Sequence, residues 1–167
     1  MTSVGSGIPR WQPWAAIGGF ALLLHFLWEM LQVPLYRGMA EACHWSAVLR
    51  CAQATAGDVV IAWTAYFIGS WSADDRLWLG PLQRRPVALY LFSGLAITVG
   101  LEWLKVHIWK EWAYGPAMPV IAGIGLAPSL QWIVIPTLTL WLARRHRGWS
   151  PYVAVPHRSA SGPTGRA

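Results

Sequence analysis

The sequence has little charge, and this shortage restricts what the protein can be. Of its 167 residues, 12% are charged and 55% are hydrophobic, so the charged fraction is about half that of an average soluble domain. The chain also lacks a glycine-rich phosphate loop, a dinucleotide-binding fingerprint and paired cysteines at metal-ligand spacing. The composition excludes an ordinary soluble domain, and the sequence predicts neither a nucleotide cofactor nor a metal site.

Cysteine is scarce as well, with two in the chain, Cys43 and Cys51. Both lie in or beside the loop that follows the first hydrophobic run. A disulfide would form if that loop faced an oxidising compartment, and two unpaired thiols fit the sequence equally well. Cys43 and His44 lack the further ligands that a zinc site needs.

Long hydrophobic runs are what the chain has in quantity. Four of them approach the ~20 residues with which a helix crosses a hydrocarbon core of ~30 Å, namely 14–33, 54–72, 87–108 and 118–143. The first run is not followed by a small-residue cleavage site, so it does not resemble a signal peptide. We expect an all-α integral membrane protein, a four-transmembrane-helix bundle within residues 14–149, with an N-terminal segment at 1–13 and a disordered tail at 150–167.

The net charge of +6 is distributed unevenly between the two sides of this predicted bundle. One side holds Arg10, Arg76, Arg84, Arg85, Arg144, Arg145, Arg147, Arg158 and Arg166, and the other has only Arg37, Arg50 and Lys110, with Lys105 near the end of the third run. Because cytoplasmic loops are rich in Lys and Arg, both termini are predicted to be cytoplasmic. Basic residues at helix ends are typical of headgroup contacts, so no nucleic-acid partner is expected. The sequence does not distinguish a bacterial inner membrane from one of endoplasmic reticulum type.

The first hydrophobic run contains an ionisable pair, His25 and Glu29, followed by Gln32. Residues at i, i+4 and i+7 share one face of a helix. A charge at bilayer depth costs about 3 kcal/mol on insertion scales, so the pair is a candidate site in which the carboxyl holds and donates a proton. The alternative is a hydrogen bond that only fixes helix packing.

Two further carboxylates, Asp58 and Glu102, lie in the second and third runs. With a span beginning near residue 54, Asp58 would lie about one turn inside the interface, where it could be a partly hydrated cap instead of a catalytic acid. Glu102 shares a helix face with Thr98 and Lys105. A simple ion pair between Glu102 and Lys105 is therefore an alternative to a catalytic role.

Tryptophan is unusually frequent, with 13 in the chain. Most lie near predicted span ends, as in the aromatic belts of membrane proteins. Trp63, Trp103 and Trp132 lie deeper, beside the polar residues named above. Because indole faces attract cations, these rings with carboxylates would suit a carbocation-like transition state; bulky packing between helices is the alternative.

The order of these features along residues 20–142 resembles the emopamil-binding-protein group of sterol isomerases, within the EXPERA superfamily of four-span membrane proteins. The matching residues, in chain order, are His25, Glu29, Tyr36, Asp58, Val99, Gly100, Glu102, Trp132 and Pro136. Gln53 is an alternative to Asp58 for the acidic position of the second helix. Ser129 or Gln131 stands where the family has an Asn.

The resemblance implies a four-helix fold around a cavity open to lipid, and double-bond isomerisation of a sterol-like or isoprenoid lipid. Glu29, positioned by His25, would be the proton donor, and Asp58 or Glu102 would be the base. Further substrate contacts would come from Gln32, Trp63, Trp103, Gln131 and Trp132. The partner would be a membrane lipid, and no metal or other cofactor would take part.

The competing class is a non-enzymatic membrane protein, either a lipid-binding or accessory protein or a small proton- or cation-coupled transporter. Intramembrane His, Glu and Asp residues also line ion paths, and a transporter of this size would have to form a homo-oligomer, which the small residues within 52–57 could support. An enzyme requires His25, Glu29 and a third acid to converge on one closed pocket of a single chain. A di-iron site is not expected, because the Glu-x-x-His spacing is absent.

Overall fold

The computed structural model describes residues 12–73, 78–79 and 83–146. These residues form four α-helices, α1 (Gln12–Gln32), α2 (His44–Trp71), α3 (Arg84–Trp103) and α4 (Leu126–His146). A 3-10 turn, Val33–Leu35, extends α1, and a π-helical turn, Leu104–Ile108, extends α3. A short hairpin of β1 (Val120–Ile121) and β2 (Ile124–Gly125) precedes α4. The predicted tail 150–167, and all but the end of the segment 1–13, lie outside the described residues.

Three helical segments are long and apolar enough to cross a membrane: Pro13–Leu35, Arg84–Ile108 and Leu126–His146. The second predicted span, 54–72, is not among them. Its helix, α2, has 28 residues, but small and polar residues lower its mean hydropathy. The protein is therefore mostly helical, with three candidate membrane spans in its described part.

Two helices begin at residues other than those predicted. α2 begins at His44 instead of residue 54, because no Gly or Pro interrupts the helix before the hydrophobic run starts. α4 begins at Leu126 instead of residue 118, because Ala122 and Gly123 have φ angles of 51° and 80°. Two successive positive φ angles form the tight turn of a two-residue hairpin, so the predicted fourth span was too long at its start.

The four helices form an antiparallel bundle in which α1 and α3 each pack against α2 and α4. Rings near the start of α1 contact rings near the ends of α2 and α4, in the pairs Trp14–Tyr66 and Phe20–His146. Near the end of α2, a Cβ added to Gly69 would lie 2.9 Å from the Pro86 carbonyl oxygen at the start of α3. Consecutive helices therefore run in opposite directions.

The half of the bundle that contains the start of α1 is closely packed. Its almost completely buried side chains include Ile17, Ala21, Ala62, Ala65, Tyr66, Trp78, Tyr90 and Ala143. The rings of Tyr66 and Trp78 stack with centroids 5.4 Å apart. We call this half the packed half; it fixes the helices relative to one another and so positions the polar residues of the other half.

The bundle is apolar outside and partly polar inside. Leu23, Phe67, Phe92 and Ile133, one from each helix, are more than half exposed. The buried polar side chains include His25, Gln32, Thr98, Glu102 and Gln131. Water-soluble proteins usually bury their apolar residues and expose their polar ones, whereas helices that face lipid have apolar outer surfaces. This distribution agrees with the three candidate spans.

Gly94 of α3 allows the Trp132 ring of α4 to lie against the α3 backbone. A Cβ on Gly94 would overlap the Trp132 ring, so Gly94→Ala forces Trp132 to move and should lower the free energy of unfolding by about 1–3 kcal/mol. A Cβ on Gly100, in the same helix, would meet nothing within 4 Å. Gly100→Ala is therefore the matched control and should be neutral or stabilising. Thermal unfolding in detergent measures both, and equal midpoints would contradict the close approach.

Candidate functional site

A cavity of about 440 Å³ lies between the helices, in the half of the bundle where α1 ends and α2 begins. Its volume falls within the ~300–1,000 Å³ of small-molecule sites. Polar side chains on its wall include Glu29, Gln32, Asp58, Glu102 and Gln131, and apolar ones include Val33, Val60, Ile61, Leu101 and Pro128. All three candidate carboxylates therefore face one space.

The cavity opens at the bundle surface along α2, on the side next to α3. Three of its lining residues on α2, Gln53, Gly57 and Val60, are exposed. Leu101 of α3 also lines the cavity and is half-buried. This side is therefore a route into the cavity that does not pass through the packed half.

Side chains from α1, α2 and α4 meet in one hydrogen-bonded group, which we call the Gln131 cluster: His25, Glu29, Asp58 and Gln131. Gln131 Nε2 lies 2.8 Å from His25 Nδ1, 3.1 Å from Glu29 Oε1 and 3.2 Å from Asp58 Oδ2. His25 Nδ1 also lies 3.3 Å from Asp58 Oδ2. The amide of Gln131 is thus the centre at which the two carboxyls and the imidazole meet.

The Gln131 cluster has more acceptors than its amide can serve. An NH₂ group donates two hydrogen bonds, whereas three acceptor atoms lie within 3.2 Å of Gln131 Nε2. The contacts are consistent when the imidazole of His25 carries its proton on Nδ1 and donates it to Asp58 Oδ2, 3.3 Å away. Gln131 Nε2 then donates its two hydrogen bonds to the two carboxyls.

Trp132 fixes the second oxygen of Asp58. Its indole Nε1 donates a hydrogen bond of 3.2 Å to Asp58 Oδ1, and its ring centroid lies 5.1 Å from that of His25. The Asp58 side chain is 12% exposed and lies near the middle of α2, because the helix begins at His44. Asp58 is therefore not a cap at the end of its helix.

Glu29 is held by two amides, and its predicted contact with His25 is indirect. Gln32 Nε2 donates a hydrogen bond of 2.8 Å to Glu29 Oε1, and Gln131 Nε2 donates one of 3.1 Å to the same atom. His25 Nδ1 instead faces Asp58 and Gln131. The expectation that His25 itself positions Glu29 was wrong, because side chains that share a helix face need not touch when each has a partner on a neighbouring helix.

Glu102 accepts three hydrogen bonds from outside its own helix. The Tyr36 hydroxyl, the Trp112 indole Nε1 and the Tyr114 hydroxyl donate to its Oε1 atom at 3.2, 3.3 and 3.0 Å. Burial raises the pKa of both tyrosine hydroxyls, with the nearby Glu102 charge acting in the same direction, so both remain donors at neutral pH. Glu102 and these three donors form what we call the Glu102 cluster.

Lys105 does not form the predicted ion pair with Glu102. Its Nζ lies 3.6 Å from Glu111 Oε2 and 4.4 Å from the centroid of the Trp112 ring. Glu102 is satisfied by neutral donors instead, and its Oε2 atom takes none of their hydrogen bonds.

The segment 109–125 closes the cavity at the end of α1. Its backbone pairs with the residues that follow α1, through Arg37 N to Ala113 O at 2.9 Å and Gly115 N to Leu35 O at 2.8 Å. His107 Nε2 lies 2.9 Å from the Gly123 carbonyl oxygen in the hairpin turn. The Glu102 cluster therefore joins α1, α3 and this segment at the edge of the cavity.

Two polar atoms on the cavity wall have no hydrogen-bond partner in the described part of the chain. They are Gln32 Oε1 and Thr98 Oγ1, on side chains that are more than nine-tenths buried. An unpaired buried polar group costs about 1–3 kcal/mol. Both side chains line the cavity, but the two atoms themselves are shielded from solvent.

Two predicted substrate contacts, Trp63 and Trp103, lie away from the cavity. Trp63 donates a hydrogen bond of 3.0 Å to the Trp14 carbonyl, and Trp103 lies on the outer surface with its ring 5.8 Å from that of His107. Each helical residue is turned by about 100° from its neighbour, so Trp103 points away when Glu102 points in. Gln32 and Gln131 line the cavity, and Trp132 lies behind Asp58.

The two cysteines are unpaired, with Cys43 exposed and Cys51 buried. Cys51 lines the cavity. Among residues 12–73, 78–79 and 83–146, no group of three or more His, Cys, Asp or Glu side chains is arranged to hold a metal ion.

The cavity combines ionisable side chains with apolar wall residues. Such an arrangement can add a proton to a bound molecule and remove one from it. Comparison with protein-family models, with curated proteins and with solved structures gave no match to this chain.

Proposed function

We propose that the protein is a multi-pass membrane enzyme that carries out acid–base chemistry on a lipid, with double-bond isomerisation as the reaction. The observation that carries the proposal is the convergence of Glu29, Asp58 and Gln131 on one cavity of a single chain, with His25 in contact with two of them. The similarity in feature order to the emopamil-binding-protein group supports the reaction class.

In this proposal α2 also crosses the membrane. α1 and α3 run in the same direction, so a chain that crosses with α1 must return to the first side before α3 begins. α2 is the segment between them, and its 28 residues span about 42 Å, more than the ~30 Å of the hydrocarbon core. Arg84, Arg85, Arg144 and Arg145 lie at one end of the bundle, which supports a topology with both termini in the cytoplasm.

The reaction needs an acid and a base on one substrate. Protonated Glu29 forms a C–H bond with one alkene carbon and leaves a carbocation on the other. Asp58 then removes a proton from the carbon next to the cation, and the double bond forms one position along the chain. One proton is gained and one is lost, so the product is an isomer of the substrate. The proton that Asp58 has taken passes back to Glu29 within the Gln131 cluster, which restores the starting state.

The carboxylates on the cavity wall also stabilise the intermediate. The nearby charges of Asp58 and Glu102 favour a carbocation in the cavity, and in a low-dielectric site such fixed charges act more strongly than in water. The apolar lining residues exclude the water that would otherwise trap the cation as an alcohol.

The packed half argues for an enzyme over a transporter. A transporter would string its polar residues along a route between the two membrane faces. Here the polar residues gather in the half with the cavity, and beyond them Ile17, Tyr66 and Tyr90 belong to one buried hydrophobic cluster. A non-enzymatic lipid-binding protein is the remaining alternative, and the following experiment separates it from an enzyme.

Lipids extracted from cells with and without the gene, and from cells carrying Glu29→Gln, are compared by mass spectrometry. We expect one lipid class to shift between two isomers only when the wild-type protein is present. Glu41→Gln is the matched control, because it makes the same carboxyl-to-amide change at an exposed loop residue, and it should behave as the wild type. Identical lipids in all four strains would overturn the proposal in favour of a non-enzymatic protein.

A further inference from the structure

The opening of the cavity carries two cationic side chains for which the proposed reaction has no use. Arg50 of α2 and Lys105, just after α3, both line the cavity. Arg50 is exposed, and among the described residues no acidic side chain lies within ion-pair distance of it. Lys105 is held at the opening by the Trp112 ring and by the partly exposed Glu111.

Lys105 is paired with Glu111 and follows Glu102 by one helical turn, and both carboxylates also line the cavity, so Arg50 is the cation at the opening whose charge has no acidic partner among the described residues. Glu29 and Asp58 lie on the inner wall, and Asp58 follows Arg50 by eight residues of the same helix, which corresponds to about 12 Å along its axis. A negatively charged group is attracted to Arg50 and Lys105 and repelled by the carboxylates further in. An apolar chain finds Val33, Ile61 and Leu101 along the wall.

From the unpaired Arg50 at the opening, with the carboxylates Glu29 and Asp58 further along the wall, we infer that the cavity binds a single-chain lipid with an anionic headgroup, a phosphate or a carboxylate. Arg50 and Lys105 hold the headgroup at the opening while the chain extends to the Gln131 cluster. A cavity of about 440 Å³ is at the small end of ligand sites, which favours one chain over two. That this lipid is also the substrate rests on the proposed function. The reacting double bond would then lie within the chain, about 12 Å from the headgroup.

Arginine suits this role because its planar group binds phosphate and carboxylate oxygens with two parallel hydrogen bonds. Lys105 adds a point charge beside it, and an anionic headgroup would compete with Glu111 for that charge. The inner carboxylates fix the direction of the bound molecule, since they disfavour entry with the headgroup first.

The test compares three probes with the same eighteen-carbon chain, namely oleyl phosphate, oleate and oleyl alcohol, each titrated onto the full-length protein in neutral detergent by native mass spectrometry. We expect at least one anionic probe to bind about 10-fold or more tightly than the alcohol, the effect of one charge-assisted hydrogen-bonded pair. Arg50→Gln and Lys105→Gln should each lose most of this difference and leave the affinity for oleyl alcohol unchanged.

Arg37→Gln is the matched control, because Arg37 is exposed near the same end of the bundle and is not among the residues that line the cavity. Its affinities should equal those of the wild type. Tighter binding of oleyl phosphate than of oleate identifies a phosphate headgroup, and the reverse order identifies a carboxylate. Equal binding of all three probes, or the same loss in Arg37→Gln as in Arg50→Gln, would overturn the inference.

Failure of this inference is distinguishable from failure of the proposed function, because the titration involves no turnover. If headgroup selectivity depends on Arg50 but the lipid isomers never change, the inferred headgroup site is supported and the proposed enzymatic function is overturned. If isomers change with Glu29 but all three probes bind equally, the enzyme stands and the headgroup site is overturned.

Discussion

Replacing Glu29 with Gln should lower the rate of lipid isomerisation by about 10²–10⁴-fold, the usual contribution of a general acid, and should leave the fold intact. The new amide keeps an oxygen that can accept the hydrogen bonds of Gln32 and Gln131. It cannot hold a proton that is acidic enough to reach an alkene carbon. Asp58→Asn should cause a loss of similar size, because it removes the base and keeps an acceptor for Trp132.

Solvent deuterium gives a readout that does not require the substrate to be known. Protonation of an alkene carbon in heavy water leaves a C–D bond, so membranes that contain the wild-type protein should accumulate a deuterated lipid isomer. Mass spectrometry of the extracted lipids measures the rate of incorporation. Glu41→Gln should incorporate deuterium at the wild-type rate, whereas wild-type incorporation by Glu29→Gln would remove Glu29 from the reaction.

Much of the bundle can be predicted from hydropathy. The observed helices differ from the predicted spans where the hydropathy of the residues does not determine their backbone conformation. The three candidate spans lie close to runs that apolar residues alone predict. α2 begins before the predicted span, because its first residues are helical but not apolar. α4 begins after the start of the predicted span, because the apolar residues before Leu126 form a hairpin whose turn has positive φ angles.

The α1 side of the site follows from helical spacing, because His25, Glu29 and Gln32 recur at intervals of four and three residues, which keeps them on one face. Tyr36 lies beyond the end of α1 and has an extended backbone, so its position at the cavity depends on the path of the chain after the helix. In the structure Tyr36 lines the cavity and donates a hydrogen bond to Glu102.

Other contacts of the site depend on tertiary structure that no local pattern encodes. The partners of Gln131 in the Gln131 cluster are 73 to 106 residues away in the chain, so its central position is visible only in the folded bundle. Trp112 and Tyr114 lie in an irregular segment without a helical period. Trp63 and Trp103 lie in the middle of hydrophobic runs, and this position alone predicted that they contact the substrate. In the folded bundle the rotation of each helix turns their side chains outward.

Replacing Glu102 with Leu should open the end of the cavity, because it removes the one acceptor that joins α1, α3 and the segment 109–125. Tyr36, Trp112 and Tyr114 would each lose the partner of a hydrogen bond to a carboxylate oxygen. Such bonds contribute about 1.5–3 kcal/mol each, and removing a buried charge offsets part of the loss. We expect a net destabilisation of about 2–4 kcal/mol.

The loss of stability should affect the segment 109–125 first and not the whole bundle, because the packed half makes no contact that depends on Glu102. Amide hydrogen exchange in 109–125 should therefore accelerate at least 10-fold in Glu102→Leu, while exchange in the first turns of α1 stays at the wild-type rate. Glu102→Gln is the matched control, because its amide oxygen can still accept from the two tyrosines and Trp112, and it should protect the segment almost fully. Equal acceleration in both variants would show that the carboxylate charge, and not its position as a shared acceptor, holds the segment in place. Uniform acceleration along the whole chain would mean that Glu102 supports the entire bundle, and the segment 109–125 would then not be an independently opening part of the cavity wall.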